Sequence, residues 1–322
     1  MTSLSSKSGI KCSIIIVNWN VKELLRECLN SIFSHLTKPS YEVIVIDNAS
    51  EDDSVEMIRT QFQQVKIIVN HVNYGFAKAC NQGIKIAQGE YFFFLNPDTI
   101  ITSNTLKSII DFMDFNSTVG VGGCYIYYPN GKPQPSFYKF PSLANSFGRM
   151  FSLFRFLPRT VLTNYFFDDY PINRIPETVD RVLGGAMVLR KKALDEVGLF
   201  DEAYFMYAEE VDLCYRIEKK GWAVAPIPNT KVYHFHEQSS LQDVKTTTFH
   251  KLKSDFIFFN KFYPFYQVVL LRFIQFLGTS FRSIFWLVLY LFSSKNRQLS
   301  KNKFSGYIKV LLSNFSYSKS LI

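Results

Sequence analysis

Short apolar runs and longer amphipathic stretches alternate over the first 125 residues of the chain. The amphipathic stretches repeat their apolar residues at helical spacing, clearly at Leu24–Ile32 and less cleanly at Ala77–Ala87. The apolar runs are rich in β-branched and aromatic residues, and they predict strands at residues 13–18, 42–47, 66–69, 91–96 and 119–126. Because this alternation is typical of a parallel sheet covered by helices, it predicts a doubly wound α/β unit.

Polar side chains end three of these predicted strands. Asn18 ends the first strand, Asp47 ends the second, and Asn96 and Asp98 flank a proline at the end of the fourth. Open α/β sheets bind ligands outside the carboxyl ends of their strands. Asn and Asp are also common turn and N-cap residues, and that interpretation stays open for each of them taken singly. Together they predict a polar, ligand-binding edge of the sheet.

The pattern changes between residues 129 and 180, where Pro, Asn and aromatic residues replace it. A segment of this length without clear regularity predicts a functional loop, a lid or an insertion. Regular structure is predicted to return in GGAMVLRKKALDEVG and in AEEVDLCYRIEKKGW, where a Gly after a Lys-rich last turn indicates a helix C-terminus. The run KVYHFH predicts a final strand.

Composition and charge narrow the class of protein. The chain has 322 residues, of which 47% are hydrophobic, so it can bury one large core or two unequal ones. Its net charge of +9 is uneven: residues 1–255 hold 27 Lys and Arg and 27 Asp and Glu, whereas residues 256–322 hold 9 basic residues and no acid. The basic tail is rich in Phe, Leu and Ile and contains no recognisable nucleic-acid recognition module, so nucleic acid is not expected as a partner.

Cysteine usage and the start of the chain indicate a compartment. The five cysteines are an odd number, show no metal-binding spacing and lie mostly in apolar runs, which favours a reducing cytoplasm. The start MTSLSSKSG is polar, and the apolar run after it has only about six residues, too short for the apolar region of a secretory signal. We therefore expect no export.

The tail after Pro264 is apolar and is interrupted by Arg272, Gly278 and Arg282. Its longest charge-free run, Ser283–Ser294, has about 12 residues, whereas a transmembrane helix needs about 20. Aromatic and aliphatic residues that carry Arg and are followed by a basic segment predict a helix in the interface of an anionic membrane. An ordinary buried helical hairpin, and a single spanning or re-entrant helix, stay open as alternatives.

Five segments resemble, in order, the family 2 glycosyltransferases of the GT-A fold, and among them bacterial rhamnosyltransferases. The segments are SIIIVNWN, VIVIDNASEDDS, NYGFAKACNQGIKIAQGEYFFFLNPDT, GGAMVLRKKALDEVGLFDEAYFMYAEEVDLCYRIEKKGW and VYHFH, and they cover most of residues 12–240. The resemblance implies a mixed GT-A sheet flanked by helices over residues 1–242, with an acceptor-side loop region at 129–180. Residues 243–322 are then a basic, apolar helical extension.

The implied activity is inverting transfer of a sugar from a nucleotide diphosphate donor to a lipid-linked or polysaccharide acceptor. L-Rhamnose from dTDP-rhamnose is the first expectation, by similarity. Transfer of another hexose from a UDP-sugar and a non-catalytic nucleotide-sugar-binding protein are the alternatives. Because the tail predicts membrane association, the implied acceptor is a polyprenyl-diphosphate-linked glycan at the inner face of the cytoplasmic membrane.

On the donor side, the resemblance assigns roles residue by residue. Asp47 matches the acid that pairs with the imino hydrogen of uracil or thymine. A set of further residues borders the nucleotide or the donor, namely Val17, Asn18, Asn73, Gly75, Asn81 and Asn96. Gly permits close backbone approach, although Gly75 and Asn81 fit turn and cap positions equally well.

The resemblance also implies a divalent cation, Mg²⁺ or Mn²⁺. Asp98 matches the last acid of the family's Asp-x-Asp motif, but Asn96 occupies the first position and contributes no charge. His234 matches a position where some relatives place a second protein ligand, and a carboxylate with an imidazole suits both metals. His236, two residues further on, is the alternative to His234, and an ordinary structural histidine remains open for both.

The cluster Glu209-Glu210-Val211-Asp212 matches the acidic pair that supplies the family's catalytic base. Motif register gives Glu210 this role, with Glu209 as the alternative. At about 100° per residue, Glu209 and Asp212 share a helix face with Arg216, whereas Glu210 points elsewhere. Acids in a first helical turn are also favoured by the helix dipole alone. Asp212 and Gly185 are predicted on the acceptor side.

Overall fold

The computed structural model describes residues 9–35, 40–235, 244–292 and 297–313. The chain forms two compact units. Unit 1 lies within Met1–Phe140, Asp169–Phe205 and Glu209–Ser239, and unit 2 lies within Pro141–Asp168, Met206–Ala208 and Ser240–Ile322. Residues 141–168 thus cluster with the C-terminal helices. The division into domains at residue 242 stays a prediction.

Unit 1 is built on a mixed sheet. The strands of this sheet are β1 Cys12–Asn18, β2 Tyr41–Asp47, β3 Lys66–Val69, β4 Tyr91–Leu95, β5 Thr99–Ile101, β6 Val119–Tyr127, β7 Pro133–Gln134, β10 Ala186–Arg190 and β11 Ala223–His234. They lie in the order β3-β2-β1-β4-β10-β6-β11-β5, and β7 pairs with β6. Strands β1 to β4 are parallel, β10 runs antiparallel between β4 and β6, and β11 is parallel to β6 but antiparallel to β5. A separate pair joins β8 Phe137–Tyr138 to β9 Arg181–Val182.

Helices cover both faces of this sheet because alternate strand residues point to opposite sides. Ile14 and Ile16 pack with the helices α1 Lys22–His35, α2 Ser54–Gln61 and α4 Thr105–Phe115. Ile15, between them, packs with α3 Phe76–Ile86, α6 Lys191–Val197 and α7 Glu209–Lys219. The prediction of a helix-covered α/β sheet is therefore confirmed, and all five predicted strands of the first half exist within a residue or two of their predicted bounds.

Unit 2 is helical. Its helices are α5 Leu143–Met150, α8 Val244–Phe262, α9 Phe265–Phe292 and α10 Arg297–Ser313. Helix α5 lies inside the segment that the sequence left irregular, and a capping box starts it: Ser142 Oγ accepts from the Asn145 N–H at 3.2 Å, and Asn145 Oδ1 accepts from the Ser142 N–H at 2.8 Å.

Helix α9 is continuous over 28 residues, although the charge-free run within it is short. An 18-residue window of α9 has a mean hydropathy of 1.4, and 33% of that window is buried. Helix α9 is therefore long and apolar enough to cross a membrane, although core helices of soluble proteins can also reach this length and hydropathy. Length alone therefore does not exclude a spanning helix.

Candidate active site

The carboxyl ends of β1 and β2 carry the first part of the predicted polar edge. The parallel register places Asn18 beside Asp47, and Asn18 Nδ2 donates to Asp47 Oδ1 at 2.8 Å. The Ser50 N–H donates to Asp47 Oδ2 at 2.9 Å, and Ser50 Oγ accepts from Asn18 Nδ2 at 3.1 Å. The two strand ends and the following loop are therefore tied into one hydrogen-bonded unit, with the half-buried Val17 preceding it.

Both side chains of this pair are fully buried. Asp47 and Asn18 are each 0% exposed, and both oxygens of Asp47 already accept a hydrogen bond from the protein. Asn18 Oδ1, in contrast, has no hydrogen-bond partner. A buried acceptor without a partner costs free energy, so Asn18 Oδ1 is a group that a ligand N–H would satisfy. The base contact predicted for Asp47 stays a prediction.

Asn73 and Gly75 shape the turn that begins α3, and Asn81 lies within that helix. Asn73 Oδ1 accepts from the Gly75 N–H at 2.9 Å, and Gly75 has φ +84° directly before the helix. A Cβ at Gly75 would lie 2.3 Å from the carbonyl oxygen of Phe205, so only Gly fits here. Asn81 Nδ2 donates to the Phe200 carbonyl at 2.9 Å and Asn81 Oδ1 accepts from the Phe200 N–H at 3.0 Å. Asn73 and Gly75 thus match the turn and cap interpretation, whereas Asn81 lies inside α3 and holds the backbone of Phe200. The donor contacts of all three stay predictions.

Asp98 and His234 meet at the end of β4. Asp98 Oδ1 lies 3.2 Å from His234 Nε2, and both residues are 5% exposed. The pairing of β11 with β5 brings them together because His234 is opposite Thr99, and the Phe235 N–H donates to the Asp98 carbonyl at 2.9 Å. The two predicted metal-ligand side chains are thus neighbours, although 136 positions separate them in the sequence. His236 lies outside the described residues.

Two amide side chains hold the imidazole of His234. His234 Nδ1 lies 3.2 Å from Gln134 Oε1, and Nε2 lies 3.4 Å from Asn96 Nδ2. Because an amide oxygen only accepts, Nδ1 carries the proton in the contact with Gln134. Nε2 is then the nitrogen that faces the Asp98 carboxylate, and its lone pair would be available to a cation held between the two side chains. This is the arrangement that a metal-binding histidine needs.

The pair fits a hard divalent cation. Octahedral Mg²⁺ holds its ligands at about 2.1 Å, so neighbouring ligand atoms lie about 3 Å apart, as Asp98 Oδ1 and His234 Nε2 do. Within the residues that the structure describes, no group of three or more His, Cys, Asp or Glu side chains is placed to hold a metal ion. Two protein ligands are what such a cation takes when substrate phosphates and water complete its shell.

Two adjacent glycines separate this pair from the acidic cluster. A Cβ at Gly185 would lie 3.1 Å from Asn96 Nδ2 and 3.8 Å from His234 Cε1, and the Gly185 carbonyl accepts from the Asn96 N–H at 3.0 Å. A Cβ at Gly184 would lie 3.6 Å from Cβ and Cγ of Glu210. The predicted metal ligands and the predicted base therefore lie on neighbouring sides of one short backbone turn.

The two glutamates of α7 have different surroundings. The side chain of Glu210 is 12% exposed, and its Oε1 lies 3.8 Å from Nη1 of Arg181. Glu209 is 5% exposed, and its Oε2 has no hydrogen-bond partner. Burial, and then the charge of Glu210, raise the pKa of Glu209 well above its ordinary value. Burial therefore favours the neutral acid at Glu209, whereas a general base has to be ionised.

Asp212 is fully buried on α7. Arg216 Nε donates to its Oδ1 at 2.5 Å, and the Tyr204 hydroxyl donates to its Oδ2 at 3.3 Å. Arg216 in turn donates to the carbonyls of Val197 and Leu199. The i,i+4 pair expected from the sequence is present, and it anchors the helix that carries Glu210. The acceptor contacts predicted for Asp212 and Gly185 stay predictions.

Sequence reasoning missed Gln134 and Arg181. Gln134 lies on β7 opposite Ile126, and the Asn130-Gly131 turn, with φ +79° at the glycine, is the signal from which that hairpin is readable. Arg181 precedes the glycine turn, donates from Nε to the Lys139 carbonyl at 3.1 Å and stacks over Tyr138 at 4.4 Å. No local pattern predicts that this guanidinium faces Glu210.

Comparison with solved structures defines the class of fold. A mannosyltransferase from Pyrobaculum calidifontis in complex with GDP-Man and Mn²⁺ superposes with a TM-score of 0.58 at 14% identity, covering 98% of this chain and 90% of that one. S. aureus TarS 1-349 gives a TM-score of 0.51 at 17% identity, covering 97% and 93%. The fold is that of the GT-A glycosyltransferases.

The sequence comparisons identify the family. The model of the family described as Glycosyl transferase family 2 matches residues 13–198, more than half of the chain. The chain belongs to glycosyltransferase family 2 and is a glycosyltransferase enzyme. An N-acetylglucosaminyl-diphospho-decaprenol L-rhamnosyltransferase of Mycobacterium tuberculosis is 27% identical over 258 residues, which cover 76% of this chain and 82% of that protein.

Proposed function

We propose that the enzyme transfers a sugar, with L-rhamnose from dTDP-rhamnose as the first candidate, to an N-acetylglucosamine carried on a lipid diphosphate. The observation that carries this proposal is the convergence of Asp98 and His234 at 3.2 Å, one glycine turn away from Glu210. The printed activity of the mycobacterial relative supports the choice of sugar and acceptor. The acceptor's lipid places the reaction at the inner face of the cytoplasmic membrane.

On the donor side, the ends of β1 and β2 bind the nucleotide. A uracil or thymine base offers an imino N–H, and the unpartnered Asn18 Oδ1 is an acceptor for it beside the Asp47 carboxylate. Asn96, whose amide nitrogen reaches His234, has hydrogen-bonding capacity for the sugar or ribose. Neither contact distinguishes uracil from thymine, so the site accepts the base of either dTDP- or UDP-sugars.

Asp98 Oδ1 and His234 Nε2 would hold the divalent cation, Mg²⁺ or Mn²⁺, between them. Bound there, it would act as a Lewis acid that stabilises the negative charge of the departing diphosphate. Gln134 keeps the imidazole in the tautomer and orientation that this binding needs.

Glu210 is the proposed general base. Its carboxylate takes the proton from the acceptor hydroxyl as that oxygen attacks the anomeric carbon, the bond to the nucleoside diphosphate breaks, and the configuration inverts. General base catalysis by a positioned carboxylate typically contributes about 10²- to 10⁴-fold. Arg181, 3.8 Å from Glu210 Oε1, orients the carboxylate, whereas Glu209, whose pKa is raised by burial, is not the base.

A screen of nucleotide sugars tests the donor. We expect dTDP-rhamnose with Mn²⁺ to raise the melting temperature more than UDP-glucose, UDP-galactose or UDP-N-acetylglucosamine do, because a ligand that binds only the folded state stabilises it by mass action. The selected donor should then yield a glycosylated N-acetylglucosaminyl diphospholipid, detected by mass spectrometry. Selection of a UDP-sugar would replace rhamnose by another hexose, and selective binding without any product would support a non-catalytic binding protein.

A further inference from the structure

Helix α9 shows an inverted distribution of polar and apolar residues. Its most buried positions include polar or small residues, Gln275, Gly278, Thr279 and Ser283. Every residue of α9 that is exposed is large and apolar or aromatic, namely Phe265, Tyr266, Val269, Leu270, Phe273, Phe276, Leu277, Phe281, Ile284, Phe285, Val288, Leu291 and Phe292. These positions recur every three or four residues, so they form one continuous outward face. A helix in water shows the opposite arrangement.

The two arginines that interrupt the apolar run do not lie on this outward face. Arg282 donates to the carbonyls of Met150 (2.8 Å) and Arg149 (2.6 Å) and to Ser152 Oγ (3.1 Å). The guanidinium of Arg272 stacks over the ring of Phe256 at 4.2 Å. Both charges are therefore turned towards the other elements of unit 2. The outward face has no charged residue over the 28 residues of α9, a length of about 42 Å at 1.5 Å per residue.

The inner side of α9 is satisfied within unit 2. Gln275 Nε2 donates to the Leu252 carbonyl at 3.1 Å, and Ser283 Oγ donates to the Thr279 carbonyl at 2.8 Å. A Cβ at Gly278 would lie 2.8 Å from the Met150 side chain, so the glycine permits close packing. Small and polar residues at packed interfaces, with large apolar residues facing out, are typical of helices whose surroundings are hydrocarbon.

We propose that the outward face of α9 is embedded in the hydrocarbon of a lipid bilayer. This proposal rests on the proposed lipid-linked acceptor. It goes further than the surface binding expected from the sequence, because the apolar side chains of α9 would enter the hydrocarbon of the membrane. Charge supports a bilayer as the occupant: no acidic residue follows Asp255, and Arg297, Lys301 and Lys309 on the neighbouring helix α10 complement anionic lipid headgroups. A second copy of the chain would bring like charges together.

Vesicle co-sedimentation of the full chain tests this proposal. We expect binding to neutral phosphatidylcholine vesicles as well as to vesicles with phosphatidylglycerol, and retention in about 1 M salt, where surface charges are screened within about 3 Å. The double variant Phe273→Lys/Leu277→Lys should bind at least about tenfold more weakly, because Lys within hydrocarbon is costly. Phe115→Lys, at a position 90% exposed on α4, is the matched control and should bind like the wild type.

Three results would overturn the proposal. The first is binding only to anionic vesicles, with release by salt. The second is a double variant that binds vesicles like the wild type. The third is a wild-type protein that forms a dimer and binds no vesicles, together with a double variant that is monomeric. Sugar transfer to an N-acetylglucosaminyl diphospholipid with a short, water-soluble lipid chain, measured on all variants, separates this proposal from the proposed activity. A wild type that binds vesicles but does not transfer sugar to this acceptor would contradict the activity alone, whereas transfer by the double variant would show that its fold is intact.

Discussion

Glu209→Gln distinguishes the two glutamates at the start of α7. Burial raises the pKa of Glu209, so the folded protein keeps its proton at pH values where the unfolded chain has lost it. The stability that this protonation contributes is fully present when the pH is below the ordinary pKa of 4.5, and it is lost as the pH rises through the higher pKa of the folded state. Gln resembles the protonated acid in shape and does not titrate. The variant should therefore lack this loss of stability.

The size of the effect follows from linkage. Each unit by which the folded pKa exceeds the unfolded value corresponds to about 1.4 kcal/mol. Between pH 4 and pH 8, the free energy of unfolding of Glu209→Gln should therefore rise relative to that of the wild type, by about 1.4 kcal/mol for each unit by which the folded pKa of Glu209 exceeds its unfolded value within that range. Urea unfolding at a series of pH values, followed by circular dichroism, measures this difference.

Sugar transfer gives the second readout. Glu209→Gln should keep transfer within about threefold, whereas Glu210→Gln should lose about 10²- to 10⁴-fold, the usual contribution of a general base. The neighbouring substitution is the matched control, because both remove one carboxylate from the same helical turn. The reasoning fails if Glu209→Gln loses transfer as Glu210→Gln does, or if its stability follows the same pH dependence as that of the wild type.

Three further substitutions test the surroundings of the site. Gln134→Leu should weaken Mn²⁺ binding about 10- to 100-fold in titrations followed by electron paramagnetic resonance, because the His234 ring loses its hydrogen-bond partner; unchanged affinity would refute its orienting role. Gly75→Ala should lower the free energy of unfolding by at least about 2 kcal/mol, because its Cβ would overlap the Phe205 carbonyl oxygen. Gly131→Ala is the control: Gly131 also has a positive φ, but nothing lies within 4 Å of its Cβ position, so the loss should be about 1 kcal/mol. Equal losses in the two variants would contradict the steric explanation. Asp212→Asn should lower the free energy of unfolding by about 3 kcal/mol in urea titrations, because it leaves the charge of Arg216 uncompensated. A loss below about 1 kcal/mol would show that the ion pair is dispensable.

Four of the five strands predicted in the first half are largely buried apolar runs, such as Tyr91–Leu95, which made them predictable. The three-residue strand β5 was not predicted, because three residues are too few to show a period. Helix α5 was not predictable, because its capping box uses Asn145 at the position where Glu or Gln is usual, and because the helix has only eight residues. The place of β10 was also unpredictable. Its antiparallel insertion between β4 and β6 depends on pairing between strands that are distant in sequence, which local periodicity does not reveal.

In the candidate site too, some residues could be predicted from the sequence and others could not. Asn18, Asp47 and Asp98 were visible as strand-end residues, and family resemblance added Glu210. The raised pKa of Glu209 was not visible in the sequence, because it depends on burial by elements distant in sequence. The direction of Arg282 is a further example: the sequence shows a charge in an apolar run, whereas only tertiary structure shows that this charge faces the protein.

The central claim is that Asp98 belongs to the machinery of sugar transfer from a nucleotide diphosphate donor. Its most direct test is the initial rate of transfer from radiolabelled donor to an N-acetylglucosaminyl diphospholipid, with and without Mn²⁺, in the wild type and in Asp98→Ala. We expect the wild type to require the cation and the variant to lose both transfer and response to Mn²⁺, while its melting temperature stays near that of the wild type. An Asp98→Ala variant that transfers the sugar at the wild-type rate without Mn²⁺ would contradict the account.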